Sequence, residues 1–168
     1  MPRILACCFI FCSPLLFAQG KYAGPVLKKL IGKTFTNERH IPGLNGYQFR
    51  EGSMITDIND PEPQALDVLL KGTKAVVVFS AMSDIAKKIF QIVDIIEIQS
   101  IQAGWEIKTA GCQAGQAEGE IIVALVKPGN KEYTTSVKQA YRCNRDKIRF
   151  EMIGVKNIRC LNEGFGQE

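Results

Sequence analysis

Phe90-Gln-Ile-Val-Asp-Ile-Ile-Glu-Ile98 heads the stretch on which the fold of this chain turns, Ile89 to Ile153. Its β-branched density favours a strand over a continuing helix. Downstream, Trp105-Glu-Ile-Lys-Thr109 alternates apolar and polar residues, and Ala110 to Gly119 is a loop of small residues. Glu120 to Val126 is the most hydrophobic run and reads as a central strand, with Pro128-Gly-Asn130 as the turn beyond it. Glu132 to Arg142 alternates less cleanly, which leaves part of it open to helix. In Lys147-Ile-Arg-Phe-Glu-Met152 the residues Ile148, Phe150 and Met152 share one face, the best period-two pattern in the chain. Val155 to Cys160 reads as a last short edge strand. The whole stretch is an antiparallel meander that supplies most of the core.

Working outward towards the N-terminus, Lys74-Ala-Val-Val-Val-Phe79 is a strand buried on both faces. Ser83-Asp84 offers an N-cap, and Ile85, Ala86, Ile89 and Phe90 would lie on one face of a short central helix. Ala65 to Leu70, after Pro63, reads as a helical turn or two. Val26-Leu-Lys-Lys-Leu-Ile31 places its apolar residues on one helical face and meets Gly32 where a helix stops. The expectation is therefore an α+β domain: a mainly antiparallel meander sheet of about four to six strands packed with one or two short helices.

The first 18 residues stand apart. Arg3 gives a positive start, an apolar run extends from Ile4 to Phe17, and Ala18 supplies a small residue before Gln19. The run is about 14 residues, short of the roughly 18–20 that a spanning helix needs, so it reads as a cleaved secretory signal with residues 19–168 as one domain. Neither Cys7 nor Cys12 sits in a convincing lipidation context, so no stable membrane anchor is expected after cleavage, and the destination is periplasmic or secreted.

Twenty-one Lys and Arg face 17 Asp and Glu. The signs are interspersed, and no basic block is interleaved with aromatics, which argues against a nucleic-acid partner. Export favours disulfides among Cys112, Cys143 and Cys160. Strand directions bring all three towards one end. Cys112–Cys160 is the favoured pair, because closing about 49 residues is worth roughly 4 kcal/mol on a loop-entropy scale; Cys143–Cys160 remains the alternative.

No catalytic or cofactor motif is present: there is no G-x-S-x-G, P-loop or H-E-x-x-H, and one histidine with no C-x-x-C gives no metal-ligand set. The irregular 40–64 segment collects the candidate binding residues His40, Tyr47, Asp57 and Asp60. Asp57, Asp60, Glu62 and Asp67 could serve acid/base chemistry, although solvated turn acids are the commoner case. Trp105 and Tyr47 are isolated aromatics, for which core or edge packing is usual. The leading functional expectation is a small, exported, non-catalytic protein acting by surface binding on a protein partner, such as an inhibitor or immunity-type protein. The alternatives are a carrier of a small apolar ligand and, behind it, a hydrolase using acids of the 57–67 loop.

Overall fold

The aliphatic runs pair with one another, and this organises the protein. The computed structural model describes residues 20–115, 119–163 and 165, with the side chain of Arg39 excepted. The leader proposed for residues 1–18 lies outside them. Among the described residues, twelve strands are numbered in chain order. β1 is Thr34–Phe35, β2 Gln48–Met54, β3 Gln64–Lys71, β4 Lys74–Asp84, β5 Ile89–Ile98 and β6 Glu106–Lys108. β7 is Cys112–Ala114, β8 Ile122–Val126, β9 Tyr133–Thr134, β10 Val137–Asn144, β11 Arg149–Met152 and β12 Ile158–Leu161. They form three antiparallel sheets, ordered β1-β5-β4-β3-β2, β11-β10-β8-β6 and β7-β12-β9.

The expected α+β class is overturned, since the described residues are mostly strand in several antiparallel sheets, with almost no helix. The single expected meander is instead distributed over three sheets. One four-residue turn of helix, α1 (Pro25–Lys28), and a 3-10 turn at Glu38–His40 are what the helical signals become. The central helix expected after Ser83-Asp84 is the tip of the β4–β5 hairpin. Asp84 does cap, but it caps a turn: its carboxylate accepts the Lys87 N–H at 3.0 Å, and Lys88 takes the left-handed conformation at φ 52°. Ile85 and Ala86 point to solvent instead of forming a buried helical face. The helical spacing there came from two strand ends meeting across a turn. Likewise Ala65–Leu70 is strand β3, since every residue through Leu69 is buried and pairs with β4.

Period-two alternation is weak in β4 and β8 because both are covered on two faces. In the five-stranded sheet, Leu66, Val68, Ala75, Val77, Phe79, Ile96 and Ile98 face inward. They meet Val123, Leu125, Tyr141, Cys143 and Phe150 of the four-stranded sheet in the main core. The opposite face carries Leu69, Val76, Val78, Ile92 and Ile95, covered by the N-terminal segment through Ala23, Leu27, Leu30, Phe35, Ile41 and Leu44. The outer face of the four-stranded sheet (Ile122, Ala124, Val126, Ala140) is covered by the third sheet through Cys112, Ile158 and Cys160. The result is a β-sandwich with a cover on each side. β12, expected at an edge, is the middle strand of that third sheet.

The two lateral openings of the sandwich are treated differently. At the β5/β11 side, a bulge leaves Val93 without a partner on β4 and turns Asp94 into the interior. The Asp94 carboxylate accepts backbone N–H groups from Gly20 (2.5 Å), Ile95 (2.8 Å) and Phe150 (2.6 Å). Tyr22 accepts the Glu97 N–H on its carbonyl (3.0 Å) and the Met152 N–H on its hydroxyl (3.1 Å), with its ring edge-on to Tyr141. Gly20–Tyr22 thereby seals that side. The β2/β6 side is open.

Candidate functional site

The open side forms a cleft of about 440 Å³. Its floor is the exposed margin of the main core: Val68 and Leu70 from β3, Ile107 from β6, and Ile101 and Trp105 from the loop before it. That loop is tied to the β3–β4 turn by the Ile101 N–H, which donates to the Thr73 carbonyl at 2.7 Å. Gly72 makes that two-residue turn at φ 58° and leaves open space beside the cleft. The rim is polar. A bulge between Phe49 and Glu51 makes Arg50 the extra residue of β2 and aims it at the cleft mouth. Thr109 Oγ1 donates to Glu51 Oε1 at 3.0 Å, which links the two sheet edges. Lys108 lies 3.3 Å from Glu106 and 3.5 Å from Glu163, and only 14% of its side chain is exposed. The Lys138 ammonium sits 5.9 Å from the Trp105 ring centroid. Among the described residues no His or Cys lines the cleft.

A second, smaller depression of about 210 Å³ lies on the outer face of the five-stranded sheet, where the N-terminal cover ends. Phe35, Phe49 and Phe90 wall it together with Met54 and Ala65, and it contains Asp67 and Glu38. Phe35 and Phe90 are stacked at 5.7 Å. Asp67 is 5% exposed, and burial, reinforced by the nearby charge of Glu38, pushes its carboxyl up to about 7.

The four candidate binding residues are not gathered. His40 ends the exposed 3-10 turn, and its N–H donates to the Asn37 carbonyl at 2.9 Å. Tyr47 packs at the margin of the outer core with the Lys71 ammonium 5.6 Å from its ring centroid. Burial, then the charge of Glu97, raises its phenol above the usual value. Asp57 organises its own loop, its carboxylate accepting both the backbone and the side-chain N–H of Asn59 at 2.8 Å. Asp60 lies 3.8 Å from Arg145, beside the β10–β11 turn. Asp60 also lines a shallow depression of about 380 Å³ with Glu62 and Arg145. Asp67 belongs with none of these acids: it projects from β3 into the aromatic depression.

Cys112 and Cys160 are bonded, directly opposite in the β7–β12 register with Cα atoms 4.0 Å apart. Cys143 is a free buried thiol. It lies on the inward face of β10, and burial, then the charge of Asp94, pushes it up to about 12 against the opposing pull of Arg145. A thiol so placed is inert as a nucleophile. Among the described residues no three His, Cys, Asp or Glu side chains are grouped to hold a metal ion. Comparison of the chain with protein-family models, with curated proteins and with solved structures found no match.

Proposed function

We propose that the protein is an exported, non-catalytic carrier of a small amphipathic ligand, held in the Trp105 cleft. The observation that carries this reading is the unsealed β2/β6 side of the sandwich, where the main core continues into a cleft of about 440 Å³ under a hydrogen-bonding rim. Clefts of roughly 300–1,000 Å³ with apolar floors and a few placed polar groups are the usual form of small-molecule sites. The ligand's body rests on Val68, Leu70, Ile101, Trp105 and Ile107. Its polar end meets Arg50, which forms no ion pair among the described residues, and the Thr109–Glu51 bridge.

A cleft with these walls sets the carrier reading above a surface-acting inhibitor or immunity-type partner. Export to the periplasm or the medium belongs to the same proposal. Its support is the Cys112–Cys160 bond, which fits an oxidising compartment, and the leader-like composition of residues 1–18. No helix of the described residues is long and apolar enough to cross a membrane.

Trp105 is the sole tryptophan, so its fluorescence reports on the cleft directly. Titration with primary alcohols of rising chain length, butanol to decanol, should give a saturable emission change whose affinity increases with each methylene. Filling the mouth by Ala110→Phe should weaken binding at least tenfold without altering thermal stability. Emission that stays constant across the series, or an A110F variant that binds as the parent does, removes the carrier reading.

A further inference from the structure

We propose that the Phe35–Phe49–Phe90 depression is a second binding site, for a small organic cation of the alkylammonium class, with Asp67 and Glu38 as its counter-charges. The argument begins with Asp67. Its side chain sits on β3, in register with Gly52 of β2 and Val78 of β4. It is 5% exposed, makes no hydrogen bond or ion pair among the described residues, and keeps its remaining opening on the depression. A buried carboxyl without a partner is costly, and native structures normally satisfy such groups. Asp94, on the same sheet, shows the contrast, with three backbone N–H groups on its oxygens.

The surroundings of Asp67 are open on the depression side. A Cβ placed on Gly52 would come within 2.5 Å of Asp67 Oδ1 and 3.2 Å of the Phe49 ring. Glycine at 52 therefore keeps a carboxylate and an aromatic face side by side. The third element is the second acid. Glu38, half-buried on the 3-10 turn, raises the Asp67 carboxyl further, so the pair holds negative potential with no described cation to neutralise it. Two carboxyls and three aromatic rings in about 210 Å³ favour a compact cation with an apolar surface: the rings attract it through their faces and the acids through charge. A neutral solute of the same shape gains only the first of these.

Among the described side chains, few charged groups face Asp67. Glu38 comes from the 3-10 turn, while β1, β2 and β5 contribute Phe35, Phe49, Gly52, Met54 and Phe90, none of which titrates. An acid of about 7 must lose its proton to hold a cation. Affinity should therefore rise about tenfold between pH 6 and pH 8, where the ionised fraction grows from roughly one tenth to nine tenths.

The test is titration of the folded protein with choline chloride, read from the phenylalanine ring resonances, beside 3,3-dimethyl-1-butanol as the uncharged isostere. The expected result is saturable binding of choline, about tenfold tighter at pH 8 than at pH 6. The alcohol should bind at least tenfold more weakly. Asp67→Asn should abolish both the affinity and its pH dependence. Glu38→Gln, on a half-exposed turn, should weaken choline binding several-fold and serves if the Asp67 variant does not fold. Trp105 emission should stay unchanged, which separates this site from the cleft. Equal binding of the alcohol, an E38Q variant that binds choline as the parent does, or no saturation by about 50 mM choline would overturn the proposal.

Discussion

Asp94 and Asp67 are both buried carboxyls on the five-stranded sheet, and their surroundings oppose each other. Asp94→Ala strips the acceptors from the N–H groups of Gly20, Ile95 and Phe150, two of them distant in sequence. A loss of roughly 2–4 kcal/mol in denaturant unfolding is expected, since orphaned buried donors cost more than a hydrogen bond gains. Asp94→Asn keeps one oxygen but turns an N–H₂ towards one of the donors, so it should recover only part of that loss. Asp67 behaves the other way. Its folded value of about 7 lies above the ordinary 3.8, so the native state holds the proton more tightly than the unfolded chain does. Stability from this residue is complete below about pH 4 and is lost as pH rises through 7, by as much as about 4 kcal/mol. Asp67→Asn, which cannot ionise, should therefore unfold at higher denaturant than the parent at pH 8, with the difference shrinking towards pH 4. Glu151 has the opposite sign: hydrogen bonds from Arg149, Asn144 and Lys147 hold it down at about 2, so its contribution is present at neutral pH and disappears under acid. Neither buried acid could be singled out in the chain. Asp94 is one polar letter in an aliphatic run, and Asp67 resembles its turn-forming neighbours Asp57 and Asp60 until β3 is known to be a strand.

At the scale of elements, the legible ones are those with clean alternation or with a dense β-branched run. Ile148-Arg-Phe150-Glu-Met152 announces a strand by alternation, and β11 begins within two residues of the expected place. The double-covered β4 was also found, because Val76 to Phe79 is too β-branched for helix. The expected central helix failed for one physical reason. Around 83–90, two strand ends and their turn reproduce a helical spacing, and only long-range pairing with β1 and β3 tells them apart. The turn itself offers a measurement. Lys88 pays backbone strain at φ 52°, so Lys88→Gly should raise stability by about 0.5 kcal/mol in thermal or denaturant unfolding, once the entropy of glycine in the unfolded chain is discounted. The third sheet is short, and the Cys112–Cys160 bond ties it together across 48 residues. Replacing both cysteines by alanine should cost about 4 kcal/mol on the loop-entropy scale, with β7, β9 and β12 the first amides to lose protection from hydrogen exchange.

For the whole molecule, the stacking of cover, two sheets and third sheet decides where a ligand can enter. A sandwich has two lateral openings, and the N-terminal segment closes one of them. The sequence contained the pieces of the remaining cleft: a lone tryptophan, an alternating Glu106-Ile-Lys108, and a two-residue turn at Gly72. Their meeting was not legible, because Leu70 and Trp105 are brought together by long-range packing and by the Ile101–Thr73 hydrogen bond, neither of which leaves a local sequence pattern. Hydrogen exchange should show the cleft's alcohols protecting Ile101 to Thr109 and the β3–β4 turn while leaving the sealed β5/β11 side unchanged.

That seal also bears on when the molecule can exist. Its components, Gly20 and Tyr22, precede in the chain nearly everything they fasten: the bond from Met152 to the Tyr22 hydroxyl spans 130 residues. A polypeptide delivered amino end first presents its fastener early and must wait for the last part of the four-stranded sheet before the fastener has anything to hold. Closure of this side therefore falls late in any delivery that starts from the amino end, because residues 149–152 must be present before Tyr22 has its partner.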